Sequence, residues 1–236
     1  MAWDPPRRPA ELAESRLIDA LLDGQFPTQS TLPPERELAV QLGVTRPTLR
    51  EALQRLARDG WIEIRHGRAT RVRDYWNEGS LGVLGAISRH IDHLPKDFVP
   101  NLLSLRLVLA PAYTRLAVEH FPRDIAELLE SYSQLPEDAD TFAAADWHLH
   151  RALTIASGNP VFTLILNTFS DLYHTMARRY FAAPQARQAS RAFYGNLAAA
   201  ARIGDSRSAE QVAARAMRES LELWQSLFTK PDAHPT

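Results

Sequence analysis

The stretch from Leu32 to Arg73 constrains this chain more than any other, because its order of helix breakers, caps and arginines fits few folds. Pro33 and Pro34 precede a short apolar-periodic segment, Glu35 to Leu42, at positions where proline is tolerated before a helix. Gly43 stops that segment, since glycine enters the left-handed region without steric cost. Thr45 is then placed to cap a second helix. Within that helix Leu49, Ala52, Leu53 and Leu56 share one face and predict a packed side, while Arg46, Arg50 and Gln54 share the opposite one. Asp59-Gly60 ends it. Ile62 to Arg65 and Thr70 to Arg73 alternate apolar and polar residues as strands do, around a His66-Gly67-Arg68 turn. Two short helices joined by a tight turn and followed by a hairpin predict a winged helix-turn-helix.

The charge distribution agrees. Val44 to Arg73 holds eight arginines against Glu51, Asp59 and Glu63, a local net charge of about +5, whereas the whole chain carries −1. Helix-turn-helix motifs present the first turns of their second helix to base edges in the major groove. Arg46 and Arg50 suit guanine or phosphate there, and the wing tip suits a neighbouring minor groove or the backbone. The same arginines on an isolated helix would read as a solvated face; the glycine turn, the threonine cap and the basic wing together point to duplex DNA.

These residues also carry a resemblance. Leu32-Pro33-Pro34-Glu35-Arg36-Glu37-Leu38, followed by Val44-Thr45-Arg46-Pro47-Thr48-Leu49-Arg50-Glu51-Ala52-Leu53, resembles the GntR family of bacterial transcription regulators. Leu53-Gln54-Arg55-Leu56-Ala57-Arg58-Asp59-Gly60-Trp61, with His66-Gly67, is similar to its FadR subfamily. The resemblance implies operator contacts from Arg36, Thr45, Arg46, Thr48, Arg50, His66 and Gly67. Pro47 stands where the family pattern has a threonine.

At 236 residues the chain has room for two domains. Residues 1–73 are expected to form the DNA-binding domain, with a first helix over Ala10 to Asp23 bracing the motif and a loose arm before it. Residues 74–79 are the expected linker, with Tyr75-Trp76 as a packed elbow. Residues 80–230 read as helices only, about seven, forming an all-α antiparallel bundle with room for a ligand. They run from Leu81 to Ile91, Phe98 to Phe121 with a kink before Pro111, Pro122 to Leu135, Pro136 to Ala156, Val161 to Ala182, Pro184 to Ile203 and Ala209 to Phe228. Residues 231–236 are an expected disordered tail. There is no cysteine, no apolar run long enough to span a membrane and no secretory leader, so a cytoplasmic protein without membrane attachment is expected.

The resemblance continues into the bundle. It rests on Asn101 to Arg106, Ala156 to Pro160, Leu164 to Asn167, Tyr180-Phe181-Ala182-Ala183-Pro184-Gln185-Ala186-Arg187, and Arg218-Glu219-Ser220 with Trp224. It implies a long-chain fatty acyl-CoA effector and no cofactor. Leu103, Tyr173 and Tyr180 would line the acyl tunnel, Arg106, Ser220 and Trp224 would hold the coenzyme A part, and Glu219 is a further implied ligand residue. His150 stands where the family has a tunnel-lining phenylalanine, Met217 where it has a glycine, and Ala216 where it has a tyrosine. The lysine expected to meet the ligand is displaced to Lys230 or lost.

Taken without the resemblance, the same residues are less specific. Tyr173 and Tyr180 are seven apart on one helix face, as core aromatics are; Arg106 could equally make a structural ion pair. Ser220 and Trp224 are i, i+4 neighbours that could share a ligand or simply pack. Asp146 and His150 are also i, i+4 and could ligate a metal. A related GntR branch completes such a site with two later histidines; Gly195 and Met217 hold those positions here, so a hydrogen-bonded Asp–His pair is expected instead. No phosphate loop, nucleophile elbow or His-Glu-x-x-His motif is present, and no catalytic residue is expected.

The sequence therefore predicts a homodimeric transcription regulator on a palindromic operator, since paired half-sites match two-fold symmetry. Acyl-CoA would alter the wing spacing, through the Tyr75-Trp76 elbow and the first bundle helix, and release the DNA. Two further readings are a GntR-type sensor of a small carboxylate, with or without a metal, and a structural nucleoid-binding protein.

Overall fold

The computed structural model describes residues 8–65 and 67–228. The expected tail 231–236, Lys230 and the wing-tip His66 lie outside them, as does most of the expected N-terminal arm. The chain divides into two compact units, Met1–Leu94 and Pro95–Thr236.

In the first unit, α1 (Pro9–Leu22) packs on α3 (Arg46–Asp59), and α2 (Glu35–Leu42) lies against α3. Ala13, Leu17 and Leu21 meet Leu38, Ala39, Leu49, Ala52, Leu53 and Leu56 in one core. Gly43 (φ +66°) and Gly60 (φ +102°) end α2 and α3 in the left-handed conformation that the sequence predicted for them. The wing is shorter than expected. Among the described residues β1 (Ile62–Glu63) and β2 (Arg71–Val72) pair, antiparallel, with Ile62 opposite Val72 and Glu63 opposite Arg71, and Thr31 bridges Arg71. Its outer edge is covered from upstream: Leu32 N–H donates to Thr70 O (2.9 Å) and Val72 N–H to Ser30 O (2.8 Å).

The residues expected to link the domains belong to this unit. α4 (Tyr75–Glu78) places the Tyr75 ring 4.8 Å from that of Trp61, which is fully buried, and the Tyr75 hydroxyl donates to Leu21 O at 3.0 Å. Trp76 is half exposed. α5 (Leu81–Arg89) buries Val83, Ala86 and Ile87, and Ser80 at its cap donates to Asp59 O at 3.2 Å. A short 3-10 turn, Ile91–His93, closes the unit against the end of α1: His90 Nδ1 lies 2.6 Å from Asp19 and His93 Nδ1 2.7 Å from Asp23. The hydrogen bond to Asp23 raises the His93 imidazole above its ordinary range.

The second unit contains seven helices among the described residues: α6 (Phe98–His120), α7 (Pro122–Glu130), α8 (Ala139–Ala156), α9 (Pro160–Thr168), α10 (Ser170–Phe181), α11 (Pro184–Arg202) and α12 (Ser206–Phe228). The number matches the expectation, but the membership differs. The Leu81 helix sits in the first unit, and the single helix expected over Val161 to Ala182 is broken at Phe169 into α9 and α10. α6 runs through Pro111 without ending there. Proline removes one main-chain donor and clashes with the preceding turn; burial of Ala110, Pro111, Tyr113 and Thr114 holds the helix together across that weak point. α6 packs on α12 and α8, α11 on α7 and α12, and α10 on α8.

Candidate functional site

The first candidate is the exposed side of α3. Thr45 caps it: its hydroxyl oxygen accepts from the Thr48 N–H at 3.3 Å and lies 2.8 Å from the Thr48 hydroxyl. The cap fixes where the first turn points, so the exposed Arg46 and Arg50 leave the same side of the helix. The start of a helix also attracts anions through its free N–H groups and its dipole. Pro47 has no N–H to offer there, so one main-chain contact open to a threonine is lost.

The local charge is less available than a count suggests. Arg55 pairs with Glu14 and Glu51, Arg58 with Asp59, Arg65 with Glu63 and Arg73 with Glu78. Arg50 is held by Glu35 at 2.8 Å although its side chain is 59% exposed, so it can turn to a phosphate or base by exchanging one partner for another. Among the described residues Arg36, Arg46 and Arg68 are exposed and make no ion pair. Gly67 adopts φ +70° at the wing tip, where a side chain would be strained.

The second candidate is a narrow cavity of about 80 Å³ in the second unit. Leu103 and Arg106 reach it from α6, Tyr173 and Tyr180 from α10, and Glu219, Ser220 and Trp224 from α12. Three helices widely separated in sequence thus bring together every ligand residue that the resemblance implied, except one. His150 does not line the cavity. It is 1% exposed and lies behind Arg106, whose Nη2 is 2.8 Å from His150 Nε2. Ala216 and Met217, the two departures on α12, line the wall.

The cavity lining is mostly apolar; Ser190, Glu219 and Ser220 add polar groups, and a buried polar cluster surrounds Arg106 and Asp146. There Asp146 accepts from the Tyr173 hydroxyl and, at 3.0 Å, from that of Tyr194. Arg106 Nη2 stands 3.8 Å from the Asp146 carboxylate, and its guanidinium carbon is 5.4 Å from the centre of the Tyr173 ring. Burial pushes the phenols of Tyr173, Tyr194 and Tyr113 up, so all three stay protonated. Burial likewise drives the His150 imidazole down to about 4, with Asp146 opposing and Arg106 reinforcing. The hydrogen bond expected between Asp146 and His150 is not formed: His150 Nε2 stands 3.8 Å from the carboxylate and accepts from Arg106 instead. Among the described residues no group of three or more metal-ligating side chains converges. Sequence reasoning missed Tyr113, Phe193 and Tyr194, because nothing local distinguishes them from core aromatics.

Comparison with known proteins now bears on both sites. The FadR C-terminal domain model matches residues 73–233, and that of the bacterial regulatory proteins of the gntR family matches residues 9–72. The fatty acid metabolism regulator protein of Cronobacter sakazakii is 41% identical over 218 residues, covering 92% of this chain and 90% of that protein. This chain belongs to the FadR family of GntR regulators. The fatty acid metabolism regulator protein of Escherichia coli O1:K1 / APEC is 40% identical over the same shares of the two chains. The solved structure of Lar, which controls expression of the Listeria monocytogenes agr system, aligns with a TM-score of 0.62 at 15% identity, over 95% of this chain and all of that one, and shows the shared fold. As a FadR-family member the chain is a DNA-binding transcriptional regulator of fatty acid metabolism.

Proposed function

We propose that the cavity of the second unit binds a long-chain fatty acyl-CoA, and that binding releases a homodimer of this chain from a palindromic operator. One observation carries the reading: Leu103, Arg106, Tyr173, Tyr180, Ser220 and Trp224, scattered over three helices, all face one cavity. Its lining has the composition of small-molecule sites, mostly apolar with a few placed polar groups. The polar place is already balanced, Arg106 against Asp146 with a neutral His150. A thioester carbonyl can accept from Arg106 without upsetting that balance, whereas a free carboxylate would bring an uncompensated charge into a buried site.

The protein acts by binding alone, as a regulator in the cytoplasm, where the operator is. Among the described residues no helix is long and apolar enough to cross a membrane.

A gel shift of the operator against a graded series of acyl-CoAs tests the proposal. A coupling of about 1–3 kcal/mol predicts that long-chain members weaken operator binding ~5- to 150-fold. Trp224→Ala, which removes a cavity wall whose ring centre lies 4.4 Å from that of Phe228, is expected to leave operator affinity unchanged and to blunt the release. Operator binding indifferent to every chain length overturns the reading.

A further inference from the structure

His150 is the one implied ligand residue that stands outside the cavity, and its bonding is unusually constrained. A guanidinium has donors and no acceptor. Arg106 Nη2, at 2.8 Å, must therefore donate to Nε2, which must carry a lone pair. A neutral imidazole then bears its proton on Nδ1 and donates it to the Tyr113 hydroxyl, also at 2.8 Å. The ring has little freedom to turn: Phe193, a cavity residue, stacks on it at 6.2 Å and 18°, and Tyr113 meets it edge-on at 6.0 Å. Arg106 and Tyr113 lie on the same helix, α6, one on each side of Pro111. His150, from α8, thus ties together the two halves of a helix weakened at its proline.

We propose that His150 is a positioning residue for effector recognition: as the Nδ1–H tautomer it holds the Arg106 guanidinium at the cavity wall and anchors it, through Tyr113, beyond Pro111. The proposal rests on the acyl-CoA reading of the cavity and deepens it. Arginine has large rotamer freedom, and a guanidinium already fixed loses less of it when a ligand oxygen arrives. Only one Arg106 donor is spent on His150. Others remain for a ligand at the wall that Arg106 shares with Tyr173 and Asp146.

Nitrogen-15 spectra of the histidine-labelled full chain at pH 7, with the His150 signals assigned by their loss in His150→Gln, test the tautomer without any ligand. A protonated Nδ1 and a bare Nε2 are expected; an Nε2–H tautomer or an imidazolium overturns the proposal. Calorimetric titration with palmitoyl-CoA tests the consequence. His150→Gln can place an amide oxygen where Nε2 accepts from Arg106, and binding is expected to stay within about threefold of the parent. His150→Asn reaches only towards Tyr113, and His150→Phe reaches neither; both are expected to weaken binding at least about tenfold. A generally structural role would instead move the Gln and Asn variants together with thermal stability. A parent chain that binds palmitoyl-CoA while all three variants bind equally well sinks the positioning role alone. A parent chain that does not bind palmitoyl-CoA defeats the cavity reading, and the spectra still decide whether His150 positions Arg106.

Discussion

Arg46→Ala is expected to weaken specific operator binding by about 1–3 kcal/mol, roughly 5- to 150-fold, with little change on unrelated duplexes if the side chain reads a base. Arg46 is exposed in the first turn of α3 and, among the described residues, makes no ion pair, so its removal breaks no ion pair of the folded protein. Arg50→Ala is expected to cost a similar amount of operator binding, but its background differs. Arg50 is drawn to Glu35 in the free protein and must leave that carboxylate before it reaches DNA. Exposed pairs of this kind contribute only about 0–1 kcal/mol, so exchange with a phosphate or guanine is not prevented. Titrations of both variants against operator and scrambled DNA, at several salt concentrations, give the result; unchanged operator affinity for both removes α3 from the interface.

The second large effect is an acid-induced loss of stability in the seven-helix unit. His150 is neutral when folded, with its imidazole driven down to about 4, against about 6.5 in an unfolded chain. The unfolded state then binds the extra proton, so this contribution is fully present above about pH 6.5 and is lost as pH falls from there towards 4. The shift corresponds to on the order of 3 kcal/mol. Carboxylates elsewhere add their own acid dependence, so the informative quantity is the difference between the parent and His150→Phe. Denaturant unfolding of both at pH 7 and pH 4.5 should show a steeper loss in the parent; parallel losses would exclude a neutral, buried His150.

The helix-turn-helix was legible in the sequence because its signals are local. A proline before α2, glycines after α2 and α3, a threonine cap and a 3.6-residue apolar period each act within a few residues of where they are written. The wing was overestimated for the same reason: alternation predicts a strand, but pairing requires a partner, and Ile64, Arg65, Thr70 and Arg73 fall outside the two paired steps. The break at Phe169 carries neither glycine nor proline, so nothing local announced it. The polar cluster was illegible because Arg106, Tyr113, Asp146, Tyr173 and Tyr194 come from four helices, and only the spacing of Asp146 and His150 hinted that they face each other. That hint suggested a direct hydrogen bond, whereas the two stand 3.8 Å apart, each near the Arg106 guanidinium.

The placement of α5 and its 3-10 turn matters to anyone who wants the DNA-binding half by itself. A fragment stopped at Gly79 would discard the Ser80 cap on Asp59, the buried Val83, Ala86 and Ile87, and the two histidine–aspartate contacts to the end of α1. Burying those three side chains contributes several kcal/mol at roughly 25 cal/mol per Å², a large share of what holds a small domain together. A recombinant piece carried on to Leu94 keeps all of it and should give sharp, dispersed amide spectra, where the shorter one should be partly unfolded at the same temperature.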